Sequence, residues 1–186
     1  KLIRTSGSTS LLDTKKVKSK KNIYEISNYK LPFLKNPPTP IPAAYIDQTK
    51  NEIILVSGKG EFFSFEKKDI GSSNLNIKKI ETNIKDLILE EDFYKDRSSS
   101  IKDLLILNNT IFLSYSKKQS HGCYNIAILS SELNLSNLKF SEFFSSEDCM
   151  PDWRNKINTL HVGGRIVPFK NEKIFLTIGD NHVRST

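Results

Sequence analysis

From residue 41 onward the chain alternates short apolar runs with polar turns. The runs predict strands at 43–47, 52–57, 61–66, 76–83, 102–107, 110–116, 123–130, 137–144, 164–169 and 173–179. They are rich in Ile, Val, Phe, Tyr and Thr, which suit a pleated, half-buried surface. Asn, Gly and Lys fill the gaps between them as turn residues. One stretch, 85–96, breaks the pattern and reads as a helical turn or a loop crossing between units. Its acids Asp86, Glu90 and Glu91 suit a solvated face better than an acid/base pair.

The strand pattern repeats. Ala44–Ser57, Lys102–Tyr115 and Gly164–Thr177 each read as strand, polar turn with Asn, strand. Ile53, Ile111 and Ile174 take equivalent places in them. Two further strands follow each of the first two pairs. A four-stranded unit recurring at this length is a propeller blade with generous loops. The predicted fold class is therefore all-β: a partial β-propeller of about two and a half four-stranded blades. The blades span about 41–84, 101–145 and 161–186, the last incomplete. Two and a half blades cannot close, so the chain is expected to be the leading part of a longer propeller whose remaining blades complete it. A self-contained sandwich or barrel of about ten strands is the alternative architecture.

The first 40 residues differ. Residues 1–27 are rich in Ser, Thr and Lys, and 35–42 form a proline-rich connector held extended by ring geometry. Residues 1–40 carry nine Lys or Arg and two acids, so the whole net charge of +7 sits there and the rest is neutral. This reads as a disordered, basic, solvated arm. Lys15–Lys21 is the segment able to touch an anionic surface. The arm lacks the interleaved aromatics of single-strand binders, and the neutral body argues against nucleic acid as a partner. No run is long enough for a transmembrane helix. Cys123 and Cys149 flank one expected hairpin and are either a disulfide pair or two buried thiols. No Cys/His cluster with zinc spacing is present.

One motif carries chemistry. His161, Val162, Gly163, Gly164, Arg165 and Ile166 lead into a strand; Lys173–Ile178 forms the next, followed by Gly179 and Asp180. A histidine takes a proton well near neutral pH. Glycines let the backbone approach a flat group and turn sharply. Arg165 is read either as a contact for a cofactor carboxylate or as a local salt-bridge partner, Asp180 being the nearest candidate.

This motif resembles the His-x-Gly-Gly-Arg-Ile … Gly-Asp signature of the soluble glucose/sorbosone dehydrogenase propellers that use pyrroloquinoline quinone (PQQ). The resemblance implies an oxidoreductase acting on a sugar or related alcohol, with His161 as the catalytic base. Gly163, Gly164 and Arg165 would then lie at the cofactor. PQQ and Ca²⁺ are implied as cofactors, their remaining contacts falling on later blades, and no metal ligand is assigned here. A periplasmic or extracellular location is implied as well. The acidic residue that soluble glucose dehydrogenases carry before this histidine is replaced by Leu160, so glucose itself is not indicated. A non-catalytic propeller serving as a ligand- or protein-binding module is the competing function.

Overall fold

Glu52–Ser57 and Phe62–Glu66 are almost wholly buried, on both faces of their sheet. Continuous burial of this kind is what blades packed face to face require. The computed structural model describes residues 6–31, 44–89, 92–95, 98–119, 123–147, 150–151, 162–170 and 172–179. Its strands are β1 (Ser6–Lys18), β2 (Ile23–Tyr29), β3 (Ala44–Gln48), β4 (Glu52–Ser57), β5 (Phe62–Glu66) and β6 (Asn74–Thr82). After a single helical turn, α1 (Ile84–Leu87), come β7 (Tyr94–Lys95), β8 (Ser98–Ser99), β9 (Ile101–Leu107), β10 (Thr110–Lys118) and β11 (Cys123–Glu132). Then follow β12 (Asn137–Leu138), β13 (Ser141–Ser145), β14 (Met150–Pro151), β15 (Gly163–Phe169) and β16 (Lys173–Ile178).

The chain is a partial propeller. Blade 1 is the antiparallel meander β3-β4-β5-β6, blade 2 is β9-β10-β11-β13, and β15-β16 is the inner half of a third. The strand bounds expected from the sequence hold closely. The 137–144 run is the exception: Leu138 in β12 turns aside to pair in parallel with β6, while β13 stays on blade 2. The 85–96 break opens with the single turn α1, which buries Ile84.

The repeat has a physical meaning. Ile53, Ile111 and Ile174 each face the preceding side of their blade. Ile111 joins the blade 1–blade 2 core with Ile54, Val56, Phe62, Leu113 and Leu129. Ile174 packs with Leu105, Ile128 and Ile166 between blade 2 and the third hairpin. Ile53 packs with Leu55, Phe63, Phe65, Leu75 and Ile77 on the rear of blade 1. Each fully buried Ile or Leu contributes about 1.5–3 kcal/mol relative to exposure. The β9–β10 turn uses Asn108 and Asn109 at φ 47° and 60°, the left-handed pair that a two-residue hairpin demands. The Asn83 side chain clamps blade 1 to blade 2. Its Nδ2 donates to the Phe140 carbonyl at 3.0 Å, and its Oδ1 accepts the Phe140 N–H at 2.8 Å.

The N-terminal region corrects the expectation of a disordered arm. Residues 6–10 of β1 pair with the outer edge of β6, and 11–18 pair with β2 as a hairpin. An outer edge offers unpaired N–H and C=O groups, and β1 satisfies them with a sequence of low β-propensity. Tyr29 and Leu31 then pack against the rear of blade 1. The Tyr29 hydroxyl donates to the Ser72 carbonyl and accepts the Gly71 N–H, both at 2.8 Å. The proline-rich connector lies outside the described residues. Cys123 is disulfide-bonded; the chain's other cysteine, Cys149, lies outside the described residues, although Met150 and Pro151 pair directly with Tyr124 and Cys123. Among the described residues no helix is long and apolar enough to cross a membrane.

Candidate active site

The first strand of each unit, β3, β9 and β15, is innermost, and the three stand side by side around one cleft. The cleft has a volume of about 340 Å³, and Tyr45, Asp47, Asp103, Leu105, Arg165 and Pro168 are among its lining residues. Two aspartates stitch its wall. Asp47 Oδ2 accepts the N–H of Ile106 on β9 at 2.6 Å. Asp103 Oδ2 accepts the N–H of Ile166 on β15 at 2.9 Å. Each carboxylate thus joins one blade's inner strand to the next, where the side edges of adjacent blades would otherwise leave an amide without a partner.

Arg165 pairs with Asp103: its Nε lies 3.4 Å from Asp103 Oδ2; the expected pairing with Asp180 falls outside the described residues. The Arg165 side chain is 73% exposed and that of Asp103 is 11% exposed. A pair so open at one end contributes little to stability. It does fix the guanidinium at the cleft with donors to spare for an anion.

Gly163 and Gly164 have φ of 76° and 103°, which L side chains rarely adopt. A Cβ on Gly163 would lie 2.5 Å from the Thr177 carbonyl oxygen and 2.8 Å from the Gly179 amide. A Cβ on Gly164 would run into the stem of Lys102. Their register shift against β16 bends the strand so that Ser114 Oγ donates to the Gly164 carbonyl. The Arg165 N–H turns to Thr177 Oγ1 at 3.0 Å. The double glycine therefore has a packing reason of its own: it lets β15 lie against Lys102 and close on β16. Gly179 N–H donates to the Val162 carbonyl at 2.9 Å, closing the hairpin's open end. His161 and Asp180, the next residues outward in sequence, lie outside the described residues.

Lys102 was not singled out by the sequence. It sits at the register shift between β9 and β10, half-buried, with its stem on Gly164. Burial pushes its ammonium down to about 8. Asp47 and Asp103 were also missed. The signal available for them was an aspartate inside an otherwise apolar strand, where it is disfavoured unless its carboxylate has a task. Phe143 meets Phe112 edge-on at a centroid distance of 5.2 Å. Among the described residues no group of three His, Cys, Asp or Glu is assembled to hold a metal ion.

No family model matches this chain, and no curated protein matches it. Among solved structures, a glucose dehydrogenase superposes with a TM-score of 0.52 at 12% identity. The match covers 76% of this chain and 41% of that one. The chain thus spans about two fifths of that protein's length. Likeness at this identity establishes a distant structural relationship and a shared propeller fold.

Proposed function

We propose that this chain is the leading part of a propeller that oxidises a sugar or related alcohol with a bound quinone, with His161 as the base. The observation that carries this reading is the His161 to Asp180 sequence motif, whose described strands β15 and β16 form the third hairpin of a fold shared with a glucose dehydrogenase. Oxidising an alcohol carbon removes a hydride from carbon and a proton from its hydroxyl. His161 takes the proton, which a neutral imidazole does well at physiological pH. Pyrroloquinoline quinone, when bound, supplies the hydride acceptor.

The residues here fit such a group in part. Arg165 offers an exposed guanidinium at the cleft, suited to a carboxylate of the quinone. Gly163 and Gly164 act one step removed: they shape the hairpin that carries Arg165 and that follows His161 in sequence, since their missing side chains are already accounted for by Lys102 and Thr177. Calcium and the remaining quinone contacts would come from blades that follow. The disulfide at Cys123 supports a periplasmic or extracellular site of action, because such bonds persist where the environment is oxidising.

The binding-module reading keeps one observation in its favour: the glycines and Arg165 all have packing or ion-pair partners of their own. A single experiment separates the two. The protein with its complete propeller is supplied with PQQ and Ca²⁺, and dye reduction is followed against a panel of aldoses and polyols, beside His161→Ala. Substrate-dependent reduction that falls at least a hundredfold in the variant, the scale of a lost general base, supports the enzyme. A folded wild type that neither binds quinone nor reduces dye supports a binding propeller.

A further inference from the structure

We propose that the β1–β2 hairpin is a docking ribbon for an anionic lipid surface. Beyond Leu11, whose N–H still donates to the Ser73 carbonyl, β1 leaves the blade: residues 13–18 pair with β2 alone. Residues 12–26 are exposed without interruption. A two-stranded ribbon with neither face covered is marginal in water. This one nevertheless displays Leu12, Val17, Ile23, Tyr24 and Ile26 at 44–69% exposure.

The register sorts these side chains. Residues directly opposite in an antiparallel pair point to the same face. Val17 faces Tyr24, Lys15 faces Ile26 and Asp13 faces Asn28, so one face holds Val17, Tyr24 and Ile26 towards the tip, with Lys15 and its ion-pair partner Asp13 towards the blade. Lys16 faces Glu25 and Lys18 faces Ile23 on the other side. Lys20 and Lys21 occupy the tip, where the chain turns between Ser19 and Asn22. The ribbon is thus amphipathic, with five lysines between residues 15 and 21.

This chemistry fits a bilayer surface better than its rivals. Apolar side chains and a tyrosine enter the headgroup boundary, while lysines keep their stems low and their ammonium groups on the phosphates. A second copy of the ribbon would bring like charges together. A protein core would have to bury the lysines. A nucleic acid would satisfy the lysines but leave the Val17, Tyr24 and Ile26 face uncovered.

Flotation of the full chain with phosphatidylcholine vesicles, with and without phosphatidylglycerol, tests this. The expected result is binding only to the anionic vesicles, weakened by salt. Lys20→Gln and Lys21→Gln should each lower affinity about fivefold. The triple change Val17→Ser, Tyr24→Ser and Ile26→Ser should reduce it further while circular dichroism stays native. Absence of binding to anionic vesicles would overturn the proposal. So would binding that both variant sets leave unchanged, tighter binding to a duplex DNA of equal charge, or concentration-dependent self-association abolished by the same substitutions.

Discussion

Blade 2 is covered on both sides, and the third hairpin on one. The strands are alike in composition, yet their surroundings differ sharply. Ile111, Leu113, Ala127 and Leu129 are fully buried between blades 1 and 2. Across β15–β16, Gly164 and Ile166 are buried against blade 2, while Val167, Phe169 and Phe175 stand 37–54% exposed on the other face. Phe169 and Phe175 lie against each other there, at 4.5 Å between ring centroids. A propeller strand therefore draws its stability from the next blade more than from its own propensity. The described part of the candidate site thus sits on the less covered of these two regions. In the proposed longer propeller, a fourth unit would supply the missing face.

The largest effect is expected inside the covered interface. Leu113→Ala should destabilise the chain by about 2–5 kcal/mol through the cavity it leaves, read as a lower denaturant midpoint. Next comes the stitching of the inner strands. Asp103→Ala leaves the Ile166 N–H without its acceptor and should cost about 1–3 kcal/mol. Asp103→Asn keeps an acceptor oxygen and should cost less, so the pair separates the hydrogen bond from the charge.

Lys102 gives a pH signature at the same junction. Its ammonium is held at about 8 in the folded chain against 10.5 for the ordinary group. The unfolded chain thus binds the extra proton between these values, and stability should rise as pH rises through that window. Below about 8 the full cost of burying the charge is present. Lys102→Met should flatten the rise, as denaturant midpoints across alkaline pH would reveal. The smallest effect belongs to the open face. Phe175→Ser should change the stability of this chain by within about 0.5 kcal/mol, as exposed sites do. The same substitution in the complete propeller should cost several times more.

The sequence discloses the blades because their logic is local: β-branched runs, Asn turns and an isoleucine recurring at one place. Ile53, Ile111 and Ile174 even predict which face each strand turns to its predecessor. The β1–β2 hairpin stays hidden because Lys15–Lys21 has no apolar alternation to read; it folds by borrowing the edge of β6, a fact of tertiary structure. The site is legible only in outline. Gly163 and Gly164 mark a special backbone, but whether the missing side chains make room for a cofactor or for Lys102 depends on a strand about 60 residues away. Asp103 stands out in sequence only as an acid within an apolar strand; its partners Ile166 and Arg165 belong to the next blade and cannot be read locally.

Amide hydrogen exchange on the 186-residue chain tests the comparison most directly. The account predicts that the amides of β10 and β11 exchange only through global unfolding, while those of β15 and β16 exchange faster through local opening of the hairpin that carries the candidate site. Equal protection across blade 2 and the third hairpin would contradict it, and would mean that β15–β16 holds its place without a following blade.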